Sequence, residues 1–506
     1  MVLTCLLVAF SLNVIWAYAA QTRLPPSPCQ LPLIGNIHQL PAEYQHTTIA
    51  RWGREFGELV HARFFSTPIL VLNHTHTARA LLEQRGDKYS SRPRFTFHED
   101  IVQWDHVVKM PYSDRWRCQR RWLQTALLTR RTLDTYKPLQ HREVHVLLRD
   151  IARDPPEVLA HIRRYTAAVV FGIAYGYSPS SLDDEHIRRT EGFIKLVLEG
   201  GGPGSMLVDF LPILKYLPAW LPGMDFKRRG LRARGLIRHM EQIPLRIEEG
   251  TARCSTATAL LEEAAEKGVL DAAVEKDIEI ALAILYIAGI DTTSSTLSTF
   301  VLLMMLHHDV QRKVQEELDT VVGYTRLPTL EDRATLPYLE AVFTEVYRYT
   351  HVASRTPLML TEDDVYAGYN LSEGTVVVVN IWAMSRDEKR FPDPDRFDPE
   401  RFMDSSLSAE AKEARDPRKF VFGFGRRLCP GRMLADSSIF LAAANLLAAF
   451  DIRPAQENGT LDLLSPSSFT SGIVRHPKPF QCRVVPRSET KAELIHAARE
   501  EGQDDT

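Results

Sequence analysis

The stretch Phe422-Gly423-Phe424-Gly425-Arg426-Arg427-Leu428-Cys429-Pro430-Gly431 sets a lone thiol among glycines, two arginines and a proline-glycine pair that precedes an apolar helical run, Met433 to Phe450. Glycines 423, 425 and 431 admit backbone conformations and close approaches that a side chain would block, so the loop can lie flat against a large planar ligand. Amides at the helix start, together with Arg426 and Arg427, are expected to lower the pKa of Cys429 and favour the thiolate that soft metals take. An isolated cysteine more often packs as a small buried residue in a turn. The rest of the chain decides between the two readings.

Ile280 to Ile290 is an apolar run too short to span a bilayer, and it continues as Asp291-Thr292-Thr293-Ser294-Ser295-Thr296. That pattern predicts a long buried helix interrupted by polarity. Gly289 costs about 1 kcal/mol relative to alanine in a helix, and Thr292 can turn its hydroxyl back onto a carbonyl. A ligand-sized widening is expected there, with an ordinary kinked helix as the competing reading. Glu345 and Arg348 lie one turn apart on a helix that is apolar on most sides, which predicts a buried pair with Arg401 of Pro399-Glu400-Arg401-Phe402 as an added partner. Trp116 and Arg120 share a helical face, an aromatic donor beside a guanidinium suited to carboxylates.

Composition is that of a globular chain: 506 residues, 44% hydrophobic and 25% charged, with a formal charge of -3 that predicts no nucleic-acid partner. Six scattered cysteines without a Cys-x-x-Cys argue against a disulfide scaffold or a structural zinc site. Met1 to Ala20 carries no charge and just reaches across a bilayer core as a helix, which predicts a single transmembrane anchor; a cleaved signal peptide competes, but the basic n-region is missing. Arg23 follows the span, so the bulk of the chain is expected in the cytoplasm. A proline-rich hinge over 21–36 comes next, then one mostly helical domain over 37–487 with minor β sheet, then a charged, solvated tail over 488–506. Asp309 is the expected N-cap of a helix stopped by Gly323, and strands are expected at Ile69 to Leu72, Thr375 to Asn380 and Gln481 to Val485. Gly200 to Gly204 opens an irregular apolar stretch through Phe210 and Trp220, read as a surface region that dips into a membrane or as a buried loop.

The Trp116 helix, the Ala288-Gly289-Ile290-Asp291-Thr292-Thr293 helix, the Glu-x-x-Arg pair, Pro-Glu-Arg-Phe and the cysteine loop, in this order along the chain, resemble the cytochrome P450 superfamily in its membrane-anchored, microsomal form. Finer strings such as Ser90-Ser91-Arg92-Pro93 and Phe480-Gln481-Cys482-Arg483 are similar to fungal members of specialised metabolism, of the O-methylsterigmatocystin oxidoreductase type. The resemblance implies a mainly α fold with minor β sheet and haem b, iron protoporphyrin IX, with Cys429 as the axial iron ligand. It gives Arg427, Trp116 and Arg120 the haem propionates, and it puts Phe422 and Gly431 in the haem-binding loop. Gly289 would leave room for dioxygen, Thr292 would hydrogen-bond it and Asp291 would help to pass protons to it. Where many relatives carry a propionate-binding histidine this chain has Leu358, with Arg355 nearby.

The implied activity is insertion of one oxygen atom from O2 into a hydrophobic secondary metabolite, terpenoid or polyketide-derived and aromatic. NADPH would act through NADPH-cytochrome P450 reductase, with cytochrome b5 as a further candidate donor. The basic residues Arg117, Arg121, Arg418, Lys419 and Arg426 form the expected docking surface for an acidic donor. Substrate contacts are expected from Phe95 to Val107, near Phe210 and Ile284, from Val352 to Arg355 and around Phe469. Desaturation, epoxidation and multi-step oxidation stay open, as does a non-catalytic haem binder. The implied location is the endoplasmic reticulum membrane, single-pass, with the catalytic domain cytosolic.

Overall fold

In the computed structural model, which describes residues 23–179, 181, 183–197, 206–241, 255–350, 352, 355–455 and 465–497, the chain gathers into two compact units. Residues up to 93, 355–384 and 424–426 make the first; 94–354, 385–423 and those from 427 onward make the second. The expected anchor Met1 to Ala20 and the glycine run Gly200 to Gly204 lie outside the described residues.

The first unit carries helix α1 (Gln45–Phe56), strands β1 (Leu59–Phe64) and β2 (Thr67–Leu72), helix α2 (Thr75–Leu82), and strands β3 (Arg355–Met359), β4 (Asp364–Tyr366), β5 (Tyr369–Leu371) and β6 (Val376–Asn380). Its main sheet runs β1-β2-β6-β3, with β2 parallel to β6 and the other pairs antiparallel. Four successive valines in β6 suit a central strand, because β-branched side chains pack well on a pleated surface. Asn380 ends that strand fully buried, its Nδ2 donating to Asn73 Oδ1 at 3.0 Å. The proline-rich segment read as a hinge is fastened to this sheet from Pro26 onward. The amide of His61 donates to the Pro26 carbonyl at 2.9 Å, and buried Asn36 accepts from the amide of Arg63 at 2.9 Å.

The second unit is helical, with α3 (Asp114–Leu128), α4 (Arg130–Arg153), α5 (Val158–Tyr175), α6 (Glu185–Val197), α7 (Asp225–Glu241), α8 (Thr256–Glu266), α9 (Ala272–Leu306), α10 (His308–Val321), α11 (Pro337–Thr350) and α12 (Arg432–Ala449). The antiparallel strands β7 (Phe450–Pro454) and β8 (Cys482–Pro486) close it. Helix α9 is its axle: about 52 Å long at 1.5 Å per residue, it packs against α3, α5, α11 and α12. Helices α9 and α12 are long and apolar enough to cross a membrane, but 83% and 72% of their apolar windows are buried inside the protein, as befits core helices.

Two boundaries differ from expectation. Helix α10 begins one residue before Asp309, with His307 at the cap, so Asp309 sits in the first turn where a carboxylate complements the N-terminal dipole. The expected charged tail holds a further helix, α13 (Glu489–Ala497), which buries Ile495 and Lys491. Lys491 Nζ donates to the Gly323 carbonyl at 3.1 Å, so charge does not leave this segment loose.

Glu345 and Arg348 on α11 have no exposed side-chain surface. Arg348 grips the carboxylate with Nε to Oε2 at 2.6 Å and Nη2 to Oε1 at 2.7 Å, and spends its other donors on the carbonyls of Ser385, Pro394 and Arg396. Arg401 Nε and the amide of Asp398 complete Glu345 at 3.2 and 2.9 Å. Removing one member strands a buried charge, so Glu345→Leu is expected to cost about 3–5 kcal/mol, read as a lower urea midpoint. A surface pair such as Lys267 and Glu263 is the control, with Glu263→Leu costing less than about 1 kcal/mol.

Candidate active site

Every residue of α9 from Ile278 to Leu297 is buried except Ala288, Gly289 and Thr292, which are half-buried. Ala288 and Thr292 lie one turn apart on one face, which stays partly accessible without the helix itself widening. The helix itself runs on unbroken there. Thr292 Oγ1 donates to the Ala288 carbonyl at 2.8 Å, and Thr296 and Thr299 repeat the pattern at 3.0 and 2.9 Å. Gly289 has a packing reason as well: a Cβ there would stand 3.0 Å from Val170 Cγ2 on α5, tighter than ordinary contact.

Asp291, next to Thr292 in sequence, is only 1% exposed. Its Oδ1 lies 2.9 Å from His476 Nε2 and 3.5 Å from Arg163 Nη2, while neither carboxylate oxygen accepts a well-aligned hydrogen bond among the described residues.

The cysteine loop closes on itself through the Cys429 amide, which donates to the Phe422 carbonyl at 2.9 Å. Phe422 packs edge-on to Tyr347, ring centroids 5.5 Å apart, and the Tyr347 hydroxyl donates to Asp436 Oδ1 at 3.2 Å on α12. Gly425 holds φ +53, and a Cβ there would run into the Leu82 carbonyl oxygen. Gly431 has an ordinary φ of -84 and only a loose contact, so folding places no such demand on it.

Burial pushes the Cys429 thiol up, against the expected lowering; the amides of Gly431 and Arg432 and the charges of Arg120 and Arg432 pull the other way without winning. The expected cations turn elsewhere. Arg427 stacks over the Trp116 ring at 4.3 Å and donates to the carbonyls of Val107 and Met110 at 3.0 and 2.7 Å. Trp116, whose helix is capped by Ser113, gives its indole N–H to the same Val107 carbonyl at 2.9 Å. Arg120 is 8% exposed, donates to the Leu428 carbonyl through Nη2 and leaves Nε with no partner among the described residues. Burial depresses its pKa, and the neighbouring sulfur works against that.

These groups suit an anionic, planar, metal-bearing ligand. A half-buried thiol is flanked by helix-start amides, a buried guanidinium beside it has a spare donor, and a metal would deprotonate the thiol outright.

Sequence reasoning missed a second charge cluster behind the loop: Arg333 pairs with Asp436 at 2.6 Å and Glu340 at 3.0 Å, and Arg418 with Glu340 at 2.5 Å. Acids on the largely apolar helices α11 and α12, Glu340 and Asp436, were the available signal. Arg418 is thereby tied to the interior and leaves the expected docking set. Arg117 and Lys419 pair with Asp114 and Glu413 at the surface, and Arg121 and Arg426 are exposed. Also unforeseen is Arg92 of the first unit, 7% exposed and donating to the Pro357 carbonyl, its pKa lowered to about 10 by burial. Leu358 is 4% exposed, an apolar core position. Phe95, Phe97, Val107, Ile284 and Phe469, expected to meet substrate, are all buried; residues 353 and 354 lie outside the described set.

A family model described as Cytochrome P450 matches residues 25–484. The chain is similar to Cytochrome P450 monooxygenase 176 of Postia placenta, 42% identical over 484 residues that cover 94% of this chain and 93% of the relative. It is similar to Cytochrome P450 monooxygenase claT of Ampulloclitocybe clavipes, 35% identical with 97% of each chain covered. With Tryptamine 4-monooxygenase of Psilocybe cyanescens it shares 36% identity, over 93% of this chain and 94% of the relative.

The two glycines separate fold from ligand. Gly425→Ala is expected to abolish folded, soluble protein, whereas Gly431→Ala folds with a urea midpoint close to wild type, so that any defect in the latter is read in ligand binding.

Proposed function

Because this chain belongs to the cytochrome P450 family and is a haem-thiolate monooxygenase by that membership, we propose that it inserts one oxygen atom into an apolar metabolite, with the site residues in the roles given below. The half-buried face of Ala288 and Thr292 on an otherwise buried helix carries the reading. Haem b bound through a thiolate supplies the oxidising chemistry, since sulfur ligation pushes electron density onto iron and favours O–O cleavage.

Cys429 would hold the metal, with the amides of Gly431 and Arg432 tempering the sulfur's charge. Arg120, with Nε spare among the described residues, would answer a propionate directly, whereas Arg427 and Trp116 would do so by giving up the Val107 and Met110 carbonyls; Phe422 and Gly431 give the loop its closure and its flat approach. Ala288, Gly289 and Thr292 bound the space in which O2 and substrate meet. Thr292 offers a hydroxyl whose proton can leave the Ala288 carbonyl for a better acceptor, and Asp291 restores that proton. The buried aromatic and aliphatic residues of Phe95 to Val107, with Ile284 and Phe469, favour an apolar substrate and exclude water.

A relative named for tryptamine oxidation keeps an aromatic amine among the candidates beside terpenoid and polyketide scaffolds. Electrons come from NADPH through a reductase that meets exposed cations such as Arg121. Residues 207–220 expose Leu207, Ile213, Tyr216 and Trp220, the last two by 73% and 77%, with Lys215 among them. Such a surface suits a membrane interface and supports anchoring at the endoplasmic reticulum by residues 1–20.

Expression with a fungal reductase, followed by a carbon-monoxide difference spectrum and mass analysis of fed scaffolds, tests the proposal. The strongly red-shifted Soret band of thiolate-ligated haem and a product heavier by one oxygen are expected. Cys429→Ser loses the band. Thr292→Ala keeps the band and lowers product per NADPH consumed; unchanged coupling would remove Thr292 from its role.

A further inference from the structure

Asp291 faces two partners of opposite aptitude. Arg163, on α5, stands 3.5 Å from Oδ1 and reaches toward the surface through Glu191 at 3.2 Å. A guanidinium stays protonated in a protein and cannot hand a proton on. His476 stands nearer, at 2.9 Å, and an imidazole can give a proton at one ring nitrogen while taking one at the other. Its Nε2 is buried against the carboxylate, yet the side chain as a whole is 18% exposed, so the ring spans from the buried acid to solvent.

The turn that carries it is fixed at both ends. The amide of Thr470 donates to the His476 carbonyl at 2.8 Å, the amide of His476 donates to Thr470 Oγ1 at 3.0 Å, and Phe469 bridges Pro477. Ser295, one turn beyond Asp291 on α9, donates its hydroxyl to the Arg475 carbonyl, so the turn lies on the helix face that presents the acid. The other charged groups here are Arg475, buried with its guanidinium 5.0 Å over the Phe469 ring, and exposed Lys478. Neither Arg475 nor Lys478 can relay a proton as an imidazole does.

We propose that His476 is the positioning residue through which Asp291 exchanges protons with solvent, so that the proton inlet of this chain is the 469–478 turn and not the Arg163 side. Turned until its Nε2–H lines up with Asp291 Oδ1, which is 2.9 Å away, the imidazole gives that proton to the carboxylate and takes one from solvent at Nδ1, so one proton reaches the acid for each one drawn from water and the ring's charge is unchanged. A ring flip restores the tautomer. Arg163 holds the carboxylate in place and carries nothing. This deepens the proposed function and rests on it for the destination of the proton.

His476→Gln keeps a side chain able to hydrogen-bond the acid but unable to relay. In the haem-loaded protein, product per NADPH is expected to fall by about tenfold, less than the full effect of a proton-transfer group because water offers a slower path. The solvent deuterium isotope effect on product formation rises, with the carbon-monoxide spectrum and the spectral affinity for substrate unchanged. Arg163→Gln leaves the isotope effect at the wild-type value. Independently of turnover, the histidine side-chain 15N resonance that disappears in His476→Gln is expected to move in Asp291→Asn. Wild-type coupling in His476→Gln, or a resonance indifferent to Asp291→Asn, overturns the proposal. Absence of the thiolate-haem band from wild type would instead sink the functional reading, while the resonance would still decide the contact.

Discussion

Glu345 is a carboxylate with no access to water, and the meander from Ser385 to Arg401 is organised around keeping it satisfied. A buried ion pair is weak as a source of stability, because the desolvation of two charges offsets much of their attraction. Its value lies in what it forbids. Once Glu345 and Arg348 are dry, three carbonyls from Ser385, Pro394 and Arg396 must converge on one guanidinium, and Arg401 and the Asp398 amide must converge on the carboxylate. An irregular stretch of chain with little regular structure therefore has one arrangement that leaves no charge stranded. The same helix then passes that order to the cysteine loop, since Tyr347 lies between Glu345 and Arg348 in sequence and meets Phe422 with its ring and Asp436 with its hydroxyl.

The loop itself is held by donors reaching for backbone carbonyls. Arg427, Trp116 and Arg120 all arrive at main-chain oxygens of residues 107, 110 and 428, so the segment before α3, the helix itself and the sulfur loop are cross-tied through one guanidinium stacked on one indole. This explains how burial can raise the Cys429 thiol while cations stand close by: Arg427 donates to carbonyls, and among the described residues the cations that bear on the sulfur are Arg120 and Arg432. The thiolate is thus a state for a metal to produce rather than one the loop prepares in advance.

Elements governed by local rules were legible in the sequence. The strands at 67–72, 376–380 and 482–486, the long helix through Asp291, and the Glu345, Arg348 and Arg401 cluster follow from periodicity and from the cost of burying charge. Contacts that join distant stretches were not. Nothing around His476 marks it as a neighbour of Asp291, 185 positions away by subtraction of the two residue numbers, because a turn between prolines has no period to read. The second cluster of Arg333, Glu340, Arg418 and Asp436 escaped because its members come from separate stretches of chain: Glu340 and Asp436 stand out as acids on largely apolar helices, but only tertiary packing shows both meeting Arg333 and Arg418. Asp309 was misplaced as a cap because residues near a helix start share the same preference for acids, which a one- or two-residue shift preserves.

Helix α9 does two jobs that helical geometry keeps apart. Ala288 and Thr292 share one face, and Asp291, about 100° round from Thr292, shares another with Ser295. Under the proposed function the half-buried face would be where an apolar ligand and O2 need a dry space, whereas protons come from water. The rotation of about 100° between consecutive helical residues lets the acid face α5 and the 469–478 turn while the hydroxyl next to it lies on the half-buried face. A carboxylate on the Thr292 face would bring its hydration into the ligand's space; an acid with no polar neighbour would be held neutral by burial and could not cycle. The arrangement of Asp291 between a fixed cation and an imidazole would meet both demands, and the proposed route would place the burden of proton supply on a segment far along the chain from the acid itself.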